Sequence, residues 1–399
     1  MKIAVCLNRI QARDGTSHFA VALAEMLREL GHEVTLIATA SSTEMRNALR
    51  IPFISMGQPW WQSRAGNLQR LSQIFGSNRF DIAFICLGLP AGMMDLMLHR
   101  LPDETVLVPV IGTDMPFVYD PLVRSADTWN VAVAESPRLL HALQLRLPGK
   151  PAFLLSTGVK HPSADALRER LNPAEPVRLL FVGRLAPEKN VLQLPDILNA
   201  CLHRNLNVTL SICGEGPESE ALKQACSRLN IQDRVEFLDL PEQAGLYQAY
   251  RQHHILLFPS GFCEGLGLVL LESQANGCVP IASRLPGVTD FTLEEGITGL
   301  LASPGDIEGF AEHINHLANP AHWQAFSRAG LARTQQRFTF QAMAQEYGQL
   351  LSEIAQGRYP LPTPRAQLRG PRQGLGAFVP KCAYPLLVLA RRYFARLFN

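Results

Sequence analysis

One rhythm, played twice, limits what this chain can fold into. Short apolar runs (KIAVCLN, EVTLIA, DIAFIC, TVLVPVIG, NVAVA) alternate with longer segments of helical period such as HFAVALAEMLRELG. A polar, proline-bounded span from His161 to Pro176 interrupts the pattern, and VRLLFVGR, NVTLSICG, VEFLD, HILLFPS and VPIAS then resume it. Strands apolar throughout are buried on both faces, and strands alternating with helices imply parallel sheets covered by helices. At 399 residues the chain is too long for a single core. The expectation is α/β, with two doubly wound parallel-sheet domains over 1–165 and 176–335. A closing helix over 336–356 and a basic, hydrophobic tail over 357–399 follow. The two halves share a rhythm but no repeated sequence, so they read as two similar architectures and not as copies.

Several strands in each half end in Gly, Ser or Thr where a helix should begin. Ligands of open α/β sheets collect at the carboxyl ends of strands, and helix N-termini offer amides to anions. A site between the two sheets is therefore expected. The stretch PSGFCEGLGLVLLESQANG sharpens it: Glu264 and Glu272 stand eight residues apart around an apolar run. Read as one helical face, they lie within ~12 Å and one quadrant of each other, both aimed at one extended ligand. Gly265 and Gly267, with the neighbouring amides of Leu266 and Leu268, let the backbone approach a phosphate. Carboxylates accept hydrogen bonds from sugar hydroxyls, so the order carboxylate, amides, carboxylate fits a nucleotide sugar. LLFVGRLAPEKN agrees, because its apolar strand ends at Gly183 and puts Arg184 and Lys189, the usual cations for a diphosphate, in the next loop.

These pieces, GRLAPEKN, CGEGPESEAL, RVEFLD with LYQAY, FPSGFCEGLGLVLLESQANGCVPIAS, PGVTDF, EGITGLL and SPGD, resemble the retaining glycosyltransferases of family 4 over roughly residues 1–355. The resemblance implies a GT-B fold, two Rossmann-like domains facing a central cleft. It implies that Arg184 and Lys189 hold the donor's diphosphate and that Glu264, with the amides of 265–267, holds the transferred sugar. Glu272 would take the nucleotide ribose, and backbone near Leu238, Asp239 and Leu240 the base. In the first half DGTSHFAVALAEMLRELGHEVTLIA is similar to the family's glycine loop, with Gly15 near donor phosphate and Asp14 where a second glycine is usual. VPVIGTDMPF resembles a strand ending in H-G-T-D but carries Ile111 in place of the histidine. Asp114 is then expected to orient sugar or acceptor. Asp239 and Thr157 are smaller departures, from Gly and Asn respectively.

No D-x-D and no His/Cys/Asp cluster at ligand spacing occurs, so no metal is expected and side-chain cations with helix amides take its place. No cofactor beyond the donor substrate is implied. Thirty-seven Lys and Arg against thirty-five Asp and Glu leave no footprint for nucleic acid. Eight scattered cysteines without a C-x-x-C pair suit a reduced, cytoplasmic setting. No apolar run reaches the ~18 residues needed for a membrane span. Trp60 and Trp61 are candidates for a lipid-linked acceptor or an ordinary loop anchor. PLLVLARRYFARLFN suits peripheral contact with the cytoplasmic face of an inner membrane or a strap on the protein itself. His18 is read as facing the cleft or capping a helix, and His253 and His254 as structural. The expected activity is transfer of a sugar from a nucleotide-diphosphate donor to a glycan, lipid-linked glycan or glycolipid, as in polysaccharide or lipopolysaccharide synthesis. The alternatives are a catalytically impaired sugar-nucleotide-binding partner protein and another GT-B enzyme acting on a small metabolite.

Overall fold

The structure is a computed structural model describing residues 1–10, 15–41, 51–56, 64–87, 101–155, 157–168, 176–239 and 243–360. Asp14, Trp60, Trp61, Leu240 and the segment from 361 onward lie outside the described residues.

Two parallel sheets form. The first holds β1 (Lys2–Ile10), β2 (Glu33–Ser41), β3 (Phe53–Ser55), β4 (Ile82–Leu87), β5 (Val106–Ile111), β6 (Ala132–Ala134) and β7 (Ala152–Leu154) in the order β3-β2-β1-β4-β5-β6-β7. The second holds β8 (Val177–Val182), β9 (Val208–Cys213), β10 (Val235–Leu238), β11 (Ile255–Phe258), β12 (Val279–Ser283) and β13 (Leu300–Ala302) in the order β10-β9-β8-β11-β12-β13. Each strand read from the sequence is present. β3, β7 and β13 were not read; each is three residues long and sits at a sheet edge, where half-burial suffices and no long apolar run is needed. VEFLD, read as a strand of the resumed rhythm, forms β10, which is also an edge and leaves Glu236 and Phe237 exposed.

The topology itself places the site. In both sheets the chain winds outward through three strands and returns to the other side of the first, so the order reverses between β1 and β4 and again between β8 and β11. The crevice at such a reversal is where ligands bind. The loops leaving β8 and β11 carry Arg184 with Lys189 and Glu264 respectively.

The helix Phe340–Ala355 follows the second domain in sequence but packs on the first. Met343, Tyr347, Leu350, Leu351 and Ile354 join Val5, Leu7 and Phe84 in one core, and the Phe84 and Tyr347 rings lie 5.9 Å apart. Burying each of these large side chains is worth about 1.5–3 kcal/mol. The Thr339 hydroxyl caps the helix by accepting from the Ala342 amide at 3.0 Å. This return crossing touches the outgoing one. The Val159 amide donates to the Phe338 carbonyl at 2.9 Å, and a Cβ on Gly158 would stand 2.7 Å from the Phe340 nitrogen.

His253 and His254 are structural. The His253 ring contacts the Ala249 carbonyl at 2.6 Å, while His254 Nδ1 accepts from the Arg178 amide at 3.0 Å and its carbonyl accepts from Trp323 Nε1.

Candidate active site

A cleft of about 530 Å³ opens between the carboxyl ends of the two sheets, lined from the first domain by Gly15, Thr16, His18, Gly112, Thr113, Glu135 and Thr157. From the second come Gly183, Arg184, Lys189, Glu215, Phe258, the run from Cys263 to Val269, and Glu272. A second hollow of about 500 Å³, lined by Arg178, Arg234, Glu236 and Gln252, runs beside the edge strands and away from the strand ends. The cleft is the better site on topology and on the chemistry it gathers.

Its second-domain wall follows from local chain chemistry. Gly183 leaves β8 at φ 153°, a region that favours glycine, and a single 3₁₀ turn, Pro187–Lys189, follows. Asn190 closes that turn in the left-handed region at φ 50° and donates from its side chain to the Pro259 carbonyl at 3.1 Å, tying the β8 loop to the β11 loop. Lys189 Nζ thereby meets Glu264 Oε1 at 2.5 Å, with the carboxylate 8% exposed. Arg184 pairs with Glu188 and keeps most of its side chain in solvent.

The helical placement of Glu264 needs correction. The helix is Leu268–Ala275, and Gly267 before it has φ 75°, so Glu264 lies in the preceding loop and not on the face that carries Glu272. Gly267 accounts for this: in the left-handed region it turns the chain before the helix starts, and the first-turn amides of Leu268–Ala275 have no intrahelical acceptor. Both carboxyls nevertheless line the cleft.

Glu272 is 4% exposed and accepts from the Tyr250 hydroxyl at 3.1 Å. Burial raises its pKa to about 7, and that hydrogen bond restrains the rise. Tyr250 was not singled out from the sequence, although it lies in the LYQAY segment one helix upstream.

Where the two walls meet, they touch through backbone. Thr113 Oγ1 donates to the Cys263 carbonyl at 3.1 Å, and a Cβ on Gly265 would stand 1.9 Å from the Gly112 carbonyl oxygen. Only glycine fits at 265 with this approach. Just behind Gly112 sits Glu135, directly after β6, its carboxyl close enough that a Cβ on Gly112 would meet its oxygens at 2.9 and 3.3 Å. Glu135 keeps part of its surface open to the cleft, yet the surrounding protein raises its pKa to about 8 through burial alone. Sequence reasoning passed over it. The signal was present in NVAVAESP, a buried strand ending in a carboxyl at the functional end of a parallel sheet.

Of the expected donor-side residues, Gly15, Gly183, Arg184, Lys189, Glu264, Gly265, Leu266, Gly267, Leu268 and Glu272 all line the cleft. Asp114 does not. It accepts from Arg138 Nε at 2.9 Å and from the Tyr119 hydroxyl at 3.3 Å, so its carboxylate is engaged beside the cleft and not within it. Asp239 is exposed beyond edge strand β10 and is also off the lining. His18 faces the cleft. Among the described residues no group of three or more His, Cys, Asp or Glu could hold a metal ion, and no helix is long and apolar enough to cross a membrane.

Comparison with known proteins agrees with this geometry. The family model described as "Glycosyl transferases group 1" matches residues 163–330. D-inositol 3-phosphate glycosyltransferase of Corynebacterium glutamicum is 33% identical over 172 residues, 42% of this chain and 40% of that protein. Glycogen synthase of Mycobacterium tuberculosis is 30% identical over 199 residues, 49% of this chain and 47% of that protein. The chain thus spans about half the length of the curated relatives it matches. Among solved structures, Anabaena Alr3699/HepE in complex with UDP and glucose superposes with a TM-score of 0.74 at 19% identity, over 88% of this chain and all of that one. Residues 163–330 thus resemble a glycosyl transferases group 1 domain, set within a two-sheet fold of the GT-B type.

Proposed function

We propose that the protein is a family 4 glycosyltransferase that moves a sugar from a nucleotide-diphosphate sugar to a hydroxyl acceptor, with retention of anomeric configuration and without a metal ion. One observation carries this reading: Lys189 and Glu264, brought together from two loops at the strand-order reversal, stand beside a helix N-terminus free of side-chain caps. Such a cluster offers a cation and amides to a diphosphate and a carboxylate to the sugar next to it. The neighbours support the donor class, since Anabaena HepE is described with UDP-glucose.

The residues of this chain divide the work. Arg184 and Lys189 stabilise charge as it develops on the leaving diphosphate, where one well-placed donor is worth about 2.7–4 kcal/mol. Glu264 accepts from hydroxyls of the transferred sugar, and Glu272 accepts from the ribose. The acceptor's proton passes to the leaving phosphate oxygen on the same face, so no protein nucleophile is required. A glycan, lipid-linked glycan or glycolipid at the cytoplasmic face of a membrane is the acceptor class we favour, with the basic tail as the element for membrane contact.

The test is a panel of UDP-, GDP- and ADP-sugars. One of them should raise the melting temperature and be consumed with a polar lipid extract, with turnover unchanged by EDTA and the product retaining the donor's anomeric configuration. Absence of any melting shift overturns the donor assignment, loss of turnover in EDTA overturns the metal-free reading, and an inverted product overturns retention.

A further inference from the structure

The first-domain wall of the cleft carries a buried hydroxyl that the protein leaves unsatisfied. Thr157, which lines the cleft, is 2% exposed, and its hydroxyl has no hydrogen-bond partner. Glu135 stands at the end of β6, next to β7, three residues beyond which Thr157 lies. Among the described residues no cation or donor offsets the burial of its carboxyl. Buried polar groups in folded proteins are almost always paired, and the exceptions call for an explanation such as a ligand. Thr157 is such an exception, and it shares one wall of the cleft with the carboxyl of Glu135, which points to a ligand group that fills the gap.

We propose that Glu135 and Thr157 form a subsite for a sugar hydroxyl, with both side chains touching the substrate during transfer. This rests on the glycosyltransferase reading above and adds a substrate contact to it.

The surroundings of Glu135 favour the neutral form. Cys86 at the end of β4 and Tyr347 on the helix Phe340–Ala355 face it from within the fold, both held above their ordinary pKa by burial first and by the Glu135 charge second. Neither supplies a positive charge at neutral pH. His18 faces the same cleft from the first domain, and Lys189, Arg184 and Glu264 face it from the second, with Lys189 already paired to Glu264 and Arg184 to Glu188. A bound diphosphate brings more negative charge into this space, and like charge disfavours ionisation further. A neutral carboxyl both donates and accepts, as does a sugar hydroxyl, whereas a carboxylate only accepts. Gly112 keeps the subsite open, since any side chain there would press on the Glu135 oxygens.

The experiment compares the wild-type chain with Glu135→Gln, Glu135→Ala and Thr157→Val. UDP-glucose, GDP-mannose and ADP-glucose serve as donors, and soluble glucosides with a polar lipid extract as acceptors. Melting shifts report donor binding, and initial rates between pH 6 and 9.5 report transfer. Wild-type kcat/KM should fall as pH rises past about 8, the folded pKa of this carboxyl. Glu135→Gln, a neutral group that also donates and accepts, should keep activity within a few-fold and lose that alkaline fall. Glu135→Ala should lose roughly ten-fold or more in kcat/KM, as expected when a buried hydrogen-bond partner is deleted, and Thr157→Val should lose several-fold. A rise confined to the donor KM assigns the hydroxyl to the donor sugar, and one confined to the acceptor KM assigns it to the acceptor. The proposal is overturned if Glu135→Ala keeps wild-type kcat/KM. It is equally overturned if Glu135→Gln is inactive while wild-type activity climbs with pH, the behaviour of a carboxylate base. A wild-type chain that shows no melting shift with any donor defeats the donor reading instead, a result separate from either of these.

Discussion

The two walls of the cleft solve opposite electrostatic problems. The second-domain wall pairs its cations before any ligand arrives, Lys189 with Glu264 and Arg184 with Glu188, and steadies Glu272 by the Tyr250 hydroxyl. The first-domain wall presents hydroxyls and a carboxyl without a counter-charge, while its one described ion pair near the cleft, Asp114 with Arg138, is turned aside from the lining. Paired charges can exchange partners when a diphosphate enters. An unpaired buried carboxyl escapes the cost by keeping its proton. A cleft assembled this way offers ionic contacts on one side and neutral hydrogen bonds on the other, which suits a ligand charged at one end and polyhydroxylic at the other.

Four measurements break or sharpen that contrast. The largest effect should come from Lys189→Ala, which removes a cation from the diphosphate and leaves Glu264 buried without its partner. A loss of about 10²–10³-fold in kcat/KM is expected, and near-wild-type turnover would move the charged centre elsewhere. Next is stability against pH for Glu135→Gln. Unfolded, this carboxyl ionises near the ordinary glutamate value of 4.5, and folded it holds its proton to about 8. Between those values unfolding releases a proton, so raising pH destabilises the wild type relative to the glutamine variant by ~1.4 kcal/mol per unit, levelling off above pH 8. Parallel melting curves for the two chains from pH 5 to 9 would contradict a neutral first-domain wall. Third, Tyr250→Phe should remove the hydroxyl that favours the Glu272 carboxylate, weakening donor binding by roughly five-fold, equal to about 1 kcal/mol. Titration of nucleotide affinity between pH 6 and 8 should show the Glu272 transition moving upward. Smallest is Asp114→Asn: Arg138 is 36% exposed, and such pairs are worth about 0–1 kcal/mol, so kcat/KM should change less than five-fold. A collapse of activity there would return Asp114 to the reaction.

The same contrast governs what could be read from the amino-acid order. Glycines, cations and carboxylates of the second domain lie within two short contiguous stretches, 183–190 and 259–277, so spacing alone gathered residues that do line one cleft. The fold was legible for a similar reason, since long doubly buried strands announce themselves and only three-residue edges such as β3, β7 and β13 escaped. Helical spacing misled only for Glu264, because a single glycine with positive φ at 267 changes the geometry without changing the count. Glu135 escaped because its importance depends on what lies around it. Its neighbours Gly112, Thr157, Cys86 and Tyr347 come from four distant parts of the chain, and no local pattern reports a missing counter-ion. Asp114 differs again: the resemblance implied a role for it, and Arg138, twenty-four residues on, engages its carboxylate beside the lining, a contact no local pattern reports.

The contact between Gly158 and Phe340 bears on how such a cleft admits its contents. The described parts of the two covalent links between the halves, at 158–159 and 338–340, run side by side and are bonded to each other, like two pins of a single hinge. Pulling the halves straight apart would strain both links at once, whereas swinging them about that spot strains neither. The mouth opposite the hinge gains width quickly for a small angle, and the side chains nearest the pivot barely move.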